Sequence, residues 1–307
     1  MPAHPTFVCP RDRAPLVADE SSLHCTQCDA RYPVDDDIAD FARGAYYDSF
    51  EPGQQLPPEH LQGLANEERG ARWRIERFYG PLLGDAPRVL DCGCGNGLSV
   101  DVLVERGHDA YGIDLSALRK WQWRERRERA RLAVASALEL PFRDGHFDAV
   151  ISSGVIEHIG VAERGGAHYE VTPLPERDAL RARYAGELLR VTRPGGSVYI
   201  DAPHGRFPID FWHSTAAGKP RWHRLDEGFL PTFAELRALA GSARIEALSP
   251  RGRFAFKQVG RYWWGRLLAA PAALAFALMP PPLLRSPLNP YLVVRLTRES
   301  PPGSLLP

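Results

Sequence analysis

The sequence lacks a net charge, a disulfide framework and a secretory signal. Its 38 lysines and arginines balance its 38 aspartates and glutamates, so no overall positive field favours nucleic acid as a partner. Its five cysteines are odd in number and fall into two groups, which is not the pattern of a small disulfide-stabilised secreted domain. The opening Met-Pro-Ala-His-Pro has no basic and apolar leader. Together these absences predict a cytoplasmic protein.

The most informative stretch is residues 89–97, Val-Leu-Asp-Cys-Gly-Cys-Gly-Asn-Gly. The apolar pair predicts the end of a buried parallel strand. Glycine at every second position predicts a turn whose backbone must come close to something. A helix closed by Gly107 follows. Strand, glycine turn and helix form the first unit of a nucleotide-binding α/β sheet, with the ligand at the carboxyl end of the strand.

The spacing of these glycines discriminates between nucleotide ligands. Leu98 stands where a dinucleotide fingerprint requires its third glycine, and no Gly-Lys-Ser/Thr sequence of a P-loop is present. The pattern that is present, D-x-G-x-G-x-G, resembles the first motif of class I methyltransferases, which bind S-adenosylmethionine (SAM). The resemblance implies that the turn passes beneath the amino-acid end and the ribose of SAM. A tight turn without a ligand is the alternative.

Further motifs extend the resemblance over about residues 88–298, and they match the methyltransferase type 11 group. Asp114 follows Gly97 by 17 positions at the end of the second strand, where a carboxylate can accept hydrogen bonds from both ribose hydroxyls. A helix, a Pro-Gly-Gly turn and a fifth strand follow within residues 184–200. The implied fold is α/β: a Rossmann-like seven-stranded sheet with helices on both faces, its last strand antiparallel, plus a small N-terminal ribbon.

The resemblance assigns the cofactor contacts to the glycine turn and to the ends of the following strands. These residues are Asp91, Gly93, Cys94, Gly95, Asp114, Leu115, Ser136, Ala137, Ser152 and Ser153. Ser136 departs from the pattern, because the family has an aspartate there that accepts a hydrogen bond from the adenine amine. A serine hydroxyl accepts a weaker one.

A hydroxyl acceptor also requires a base, and four residues after the fourth and fifth strands are candidates. They are His158, His204, Asp210 and His213, of which His158 and His204 are the predicted catalytic residues. A histidine with a purely structural role is the alternative at each position.

The first forty residues resemble zinc-ribbon modules that occur alone as methyltransferase activators or are fused ahead of methyltransferase domains. Cys9, Cys25 and Cys28 match the metal ligands, and Asp12 stands where the pattern has its second cysteine. A carboxylate can bind Zn²⁺, although three cysteines with one aspartate is an uncommon structural site. Either these four residues bind zinc, or the ribbon has lost its metal and packs on the main domain, because forty residues bury little core alone.

These patterns predict three parts: a ribbon at 1–44, a linker with a leading helix at 45–85, and a methyltransferase domain at 86–300. The domain carries an apolar insert at 254–288. Within it a run of 13 apolar residues, 267–279, is too short to span a bilayer. Trp263 and Trp264 precede the run and arginines flank it, which is typical of a helix lying on a membrane surface. A helix packed on the domain or on a second subunit is the alternative.

Three functions remain open. The first is SAM-dependent O-methylation of a small-molecule or lipid-linked glycan acceptor, with peripheral contact to the inner face of the membrane. Residues 201–213 support it, since they resemble methyltransferases from bacterial cell-surface polysaccharide pathways. The second is an RNA or protein methyltransferase that uses the ribbon for recognition. Nucleic acid is not expected, because glutamates interleave with the arginines of segment 119–129. The third is a non-catalytic SAM-binding subunit, which Ser136 favours.

Overall fold

The computed structural model describes residues 3–51, 58–164, 169–213, 220–253 and 263–299. The chain divides into two compact units. The first contains Met1–Ile151 and Glu187–Gly196, and the second contains Ser152–Gly186 and Ser197–Pro307.

The first unit begins with a ribbon of five short strands in an antiparallel meander. The strands are β1 (Ala3–Val8), β2 (Pro15–Ala18), β3 (Ser22–Cys25), β4 (Arg31–Asp35) and β5 (Ile38–Asp40). Alternate residues point inwards, as the two-residue period of a strand requires, so that Leu16, Leu23 and Tyr32 are buried. The ribbon therefore has a small core of its own.

Four parallel strands make up the methyltransferase-like sheet of the first unit. They are β6 (Arg88–Cys92), β7 (Asp109–Asp114), β8 (Leu132–Val134) and β9 (Phe147–Ser153), in the order β8-β7-β6-β9. The order reverses between β6 and β9, which is the switch point where open α/β sheets bind ligands. The glycine turn follows β6 and lies at this point.

The helices of the first unit surround this sheet in sequence. They are α1 (Pro58–Trp73), which continues through a π-helical segment (Arg74–Tyr79) into α2 (Gly80–Leu83), then α3 (Leu98–Glu105), α4 (Ala117–Trp123) and a 3₁₀ turn (Arg129–Arg131). The leading helix begins nine residues earlier than residue 67, where the sequence places it.

The ribbon extends the sheet through its last strand. β5 pairs in parallel with β8, and the amide of Phe41 donates to the carbonyl of Val134 at 2.8 Å. Phe7 packs against Tyr111 and Phe142 with ring centroids 6.1 and 5.5 Å apart. An exposed edge strand is a site of unwanted pairing, and the ribbon covers the edge of β8. The ribbon is thus part of the first unit.

The second unit contains a three-stranded antiparallel sheet, two small hairpins and four helices. Its elements are β10 (Val161–Arg164), β11 (Glu170–Pro173), α5 (Arg177–Val191), β12 (Thr192–Pro203), β13 (Ile209–Asp210), β14 (Arg221–Trp222), α6 (Phe233–Leu239), β15 (Arg244–Ala247), α7 (Trp263–Leu278), α8 (Pro281–Leu284) and β16 (Tyr291–Thr297). β16 pairs antiparallel with both β12 and β15. Together with β6–β9 these strands give the seven-stranded Rossmann-like sheet that the sequence predicts, with an antiparallel last strand.

The arginine-rich segment after β7 differs from the helix predicted over residues 121–129. α4 ends at Trp123, because the chain there is tied to the glycine turn. The indole of Trp123 donates to the carbonyl of Gly95 at 2.8 Å, and Arg126 donates to the carbonyl of Asn96 at the same distance. The expectation of a solvated helix face is therefore wrong for Arg126, which supports the cofactor turn.

The apolar run predicted to form a surface helix lies in α7, with Pro271 in its interior. Leu267, Leu274 and Leu278 are 66%, 58% and 71% exposed. Of the flanking residues, Arg261 lies outside the described residues. Among the helices that the structure describes, we find none with the length and apolar character needed to cross a membrane.

Candidate functional site

The glycine turn owes its shape to backbone conformations that other residues rarely adopt. Gly93, Gly95 and Gly97 have φ angles of 86°, 54° and 77°, in the left-handed region where a side chain is strained. The amides of Gly93 and Cys94 both donate to the carbonyl of Ile113, at 2.8 and 2.9 Å. A Cβ atom on Gly97 would lie 2.7 Å from the side chain of Leu132. The alternating glycines therefore let the turn fold tightly against β7 and β8.

Asp114 ends β7 directly beside this turn. Its carboxylate accepts the amide of Gly95 at 3.0 Å and the amide of Leu115 at 2.8 Å. Burial raises the pKa of Asp114 to about 6, although the charge of Arg119 and the two amides oppose the increase. The strand-end acid and the glycine turn thus meet as the sequence predicts, and a hydrogen-bond acceptor for ribose hydroxyls is in place.

The leading helix and the linker before it cover the same place. Glu67 of α1 forms an ion pair with Arg119 at 3.0 Å, and a Cβ atom on Gly95 would lie 3.1 Å from Glu67 Oε1. The carboxylate of Asp48 accepts the amide of Ala117 at 2.8 Å. Sequence reasoning gave no role to Glu67, Arg119 or Asp48, because each contact joins residues at least 52 positions apart.

The remaining predicted cofactor residues fall in both units. In the first unit Asp91 and Cys94 are buried, and the hydroxyl of Ser136 accepts the amide of Leu138 at 3.2 Å beside Ala137. In the second unit, Tyr184 donates to the hydroxyl of Ser152 at 2.6 Å. The hydroxyl of Ser153 donates to Asp201 at 3.1 Å and accepts from Arg253 at 2.8 Å. All three serine hydroxyls therefore have protein partners.

Five side chains of the second unit form a compact group that we call the Glu157 cluster: Glu157, His158, Glu163, Asp210 and His213. Nδ1 of His158 lies 2.6 Å from Glu163, and Nδ1 of His213 lies 2.9 Å from Asp210. The two imidazole rings meet edge to face with their centroids 5.2 Å apart. The sequence named His158, Asp210 and His213 separately as candidate bases, and the structure brings them together with two carboxylates from elsewhere.

Charges within the cluster shift the pKa values of its members. Burial raises the pKa of Glu157, whose side chain has almost no contact with solvent. Burial lowers the pKa of His158, but the hydrogen bond to Glu163 and the charge of Glu157 outweigh it, so the net pKa is raised. Burial raises the pKa of Asp210, yet the hydrogen bond and charge of His213 leave it below its usual range. The cluster therefore favours positive charge on its histidines.

His204, the other predicted catalytic residue, occupies a different environment in the second unit. It is buried at the end of β12, and its Nδ1 lies 2.9 Å from the carbonyl oxygen of Asn289. Because a carbonyl only accepts hydrogen bonds, Nδ1 carries the proton and Nε2 keeps its lone pair. Burial lowers the pKa of His204, so its ring is held neutral.

The ribbon brings Cys9, Asp12, Cys25 and Cys28 together, with one ligand atom of each within 4.8 Å of the others. The Sγ atoms of Cys9 and Cys28 are 3.6 Å apart, and Sγ of Cys25 lies 3.3 Å from a carboxylate oxygen of Asp12. Ligands of tetrahedral Zn²⁺ are separated by about 3.8 Å for two sulfurs and about 3.5 Å for sulfur and oxygen, given ordinary bond lengths. The four donors therefore fit a closed structural zinc site.

Comparisons with known proteins match two parts of the chain. Residues 90–200 match the family described as a methyltransferase domain, and residues 4–37 match the Trm112p-like proteins. A demethylmenaquinone methyltransferase of Beutenbergia cavernae is 32% identical over 120 residues, which cover 38% of this chain and 42% of that protein. A 2-methyl-6-phytyl-1,4-hydroquinone methyltransferase of Synechocystis sp. is 32% identical over 169 residues, covering 52% and 46%.

A third relative acts on RNA by its name. It is a tRNA (carboxymethyluridine(34)-5-O)-methyltransferase of Mus musculus, 33% identical over 156 residues that cover 48% of this chain and 20% of that protein. The chain thus spans less than half the length of each of these three relatives.

Proposed function

We propose a function from the premise that this chain carries a class I SAM-dependent methyltransferase domain joined to a Trm112-like, zinc-ribbon-like module. The proposed reaction transfers the methyl group of SAM to a hydroxyl group of a small-molecule or lipid-linked glycan acceptor. The observation that carries the proposal is the pairing of the left-handed glycine turn with the buried carboxylate of Asp114. The matched quinone methyltransferases support a small acceptor.

The chemistry demands little covalent work from the protein. The bond between the sulfonium sulfur and the methyl carbon breaks as an oxygen–carbon bond forms, and the hydroxyl proton leaves. The products are S-adenosylhomocysteine and a methyl ether. The protein contributes the position of the two reactants and a destination for the proton. We assign that second task to the Glu157 cluster, because Glu157 and His158 follow the fourth strand, where the family resemblance places methyl transfer.

The experiment that tests this function is a product assay. Purified protein is incubated with SAM carrying a labelled methyl group and a panel of quinols, phenols, sugar nucleotides, lipid-linked sugars, tRNA and peptides. Mass spectrometry then identifies the methylated product. A labelled methyl ether in the first four classes supports the proposal. Label only in tRNA or peptide establishes the alternative, which the Trm112-like match and the tRNA methyltransferase favour. No label in any class leaves a non-catalytic SAM-binding subunit.

The affinity for SAM is expected to depend on pH through Asp114. Ribose hydroxyls donate to the charged carboxylate, and the pKa of Asp114 is about 6, so the binding form predominates above pH 6. Below that value the dissociation constant should rise about tenfold per pH unit. Calorimetry between about pH 5 and pH 8 measures this dependence. Asp114→Asn is the matched control, and an equally steep pH dependence in that variant would assign the titration to another group.

We propose that the ribbon binds one structural zinc ion through Cys9, Asp12, Cys25 and Cys28. Zinc in a closed four-ligand site cross-links the two loops of such a ribbon. Elemental analysis of the purified chain is expected to give about one zinc per chain, and Cys25→Ser should lose it. Cys92→Ser is the control, since Cys92 lies in β6 and should leave the zinc content unchanged. A metal-free wild-type protein would leave a ribbon held by packing alone.

We propose that α7 gives the chain a peripheral contact with membranes, which a lipid-linked acceptor would require. Three of its leucines, Leu267, Leu274 and Leu278, expose most of their surface. Changing all three to serine should abolish flotation with anionic liposomes, because the apolar area that enters the interface is lost. Leu225→Ser is a control at another exposed leucine. If the triple variant floats like the wild type, the membrane contact fails.

A further inference from the structure

We propose that Glu157, His158 and His213 bind a divalent first-row transition-metal ion, at a site separate from the cysteines of the ribbon. One ligand atom of each of the three lies within 4.8 Å of the other two. Nitrogen and oxygen ligands around such an ion stand about 3.0–3.4 Å apart, given bond lengths near 2.1 Å. Small side-chain rotations therefore suffice to bring the three donors onto one ion.

Both histidines are already oriented as metal ligands are. A histidine that binds a metal through one ring nitrogen usually donates its other N–H group to a carboxylate. Here Nδ1 of His158 faces Glu163 and Nδ1 of His213 faces Asp210, at 2.6 and 2.9 Å. This leaves Nε2 of each ring for an ion. Asp210 is itself fixed, since it accepts the amides of Trp212 and His213 at 2.9 and 3.1 Å.

The side chain of Glu157 supplies an independent indication. Glu157 is 1% exposed, and its Oε2 atom has no hydrogen-bond partner among the residues that the structure describes. A buried carboxylate without a partner is costly, and a bound cation removes that cost. The neighbouring Arg181 donates to the main-chain carbonyl of Glu157 at 3.1 Å and to Glu235 at 2.8 Å. An open oxygen of Glu157 therefore points to a ligand with positive charge.

The donor set indicates which ion binds. Two imidazoles and one carboxylate suit Zn²⁺, Mn²⁺, Fe²⁺ or Co²⁺ and leave coordination positions open, whereas Mg²⁺ and Ca²⁺ prefer oxygen alone. The side chain of His158 is 41% exposed, which gives an ion access from solvent. The site rests on its own geometry. Its use in catalysis rests on the proposed function: an acceptor hydroxyl bound to the ion would have a lower pKa and would lose its proton to water.

Titration with Mn²⁺ tests this site in the full-length chain. The electron paramagnetic resonance signal of free Mn²⁺ disappears on binding, and Mn²⁺ prefers nitrogen and oxygen donors to the thiolates of the ribbon. We expect one Mn²⁺ per chain. Loss of a ligand in Glu157→Gln, His158→Gln or His213→Gln should weaken binding by more than a hundredfold, and loss of an orienting group in Glu163→Gln by about 10–100-fold. Because His158 is half exposed, its variant should fold even if Glu157→Gln does not.

The matched control is His24→Gln. His24 also pairs with a carboxylate, that of Asp19, but it lies in the ribbon away from the Glu157 cluster. It should bind Mn²⁺ like the wild type. No binding by the wild type, or equal binding by the wild type and the three ligand variants, overturns the site. SAM calorimetry on the same samples separates the two proposals: wild type that binds SAM but no Mn²⁺ refutes only the cation site, whereas the reverse refutes only the SAM assignment.

Discussion

Replacing Phe7 with alanine should destabilise the first unit by about 3–5 kcal/mol, the usual cost of deleting a buried aromatic ring. Phe7 is 2% exposed and packs on Phe41 at 5.4 Å between centroids, as well as on Tyr111 and Phe142. Deleting the ring leaves a cavity between the ribbon and the parallel sheet. Urea denaturation followed by circular dichroism measures the loss. Phe211→Ala, the same substitution at a 51% exposed position, should cost much less.

The same variant also tests whether the ribbon is a structural part of the enzyme or a separate recognition arm. β5 pairs with β8, so amide protons in both strands should lose protection together when Phe7 is removed. Hydrogen exchange with mass spectrometry resolves the two strands. If the peptides of β1–β5 exchange faster while those of β6–β8 stay protected, the ribbon unfolds alone, and the recognition-arm alternative gains support.

The second large effect concerns Asp114. Asp114→Ala should weaken SAM binding by about 1–3 kcal/mol, that is by roughly 5–150-fold, because buried ribose hydroxyls lose a charged acceptor. The substitution also removes the acceptor of the Gly95 and Leu115 amides, so part of the loss could come from a disturbed turn. A second variant is needed to separate the two causes.

Asp114→Asn provides that separation. Burial raises the folded-state pKa of Asp114 to about 6, so the charged form destabilises the ligand-free fold at neutral pH, and this penalty disappears as the pH falls below 6. Asparagine carries no charge, so without SAM the variant should melt at or above the wild-type temperature at pH 8. Its SAM affinity should nevertheless fall. Lower thermal stability together with lower affinity would indicate a structural role instead.

The cofactor turn was predictable because its signal is local. Gly93, Gly95 and Gly97 need left-handed backbone, and that need is written in three alternating positions of the sequence. Asp114 was predictable for a related reason: it ends the next strand of a regular strand–helix–strand unit. The number and direction of the strands followed from the same regular pattern.

The parts that the sequence did not reveal depend on distant contacts. Glu67 and Arg119 pair across 52 positions, and no pattern around either residue marks the pair. The Glu157 cluster gathers residues from the segment after β9, from β10 and from the hairpin strand β13. Hairpins place their side chains by pairing register and packing, which single-sequence patterns do not encode. The early end of α4 likewise depends on Trp123 finding the carbonyl of Gly95.

The central claim is that the glycine turn and Asp114 form a SAM site, and calorimetric titration of the full chain with SAM at about pH 8 tests it most directly, well above the pKa of Asp114. The structure predicts saturable binding of one SAM per wild-type chain and at least fivefold weaker binding by Asp114→Ala. Equal affinities of the two proteins, or no heat of binding from a folded wild-type chain, would contradict the claim.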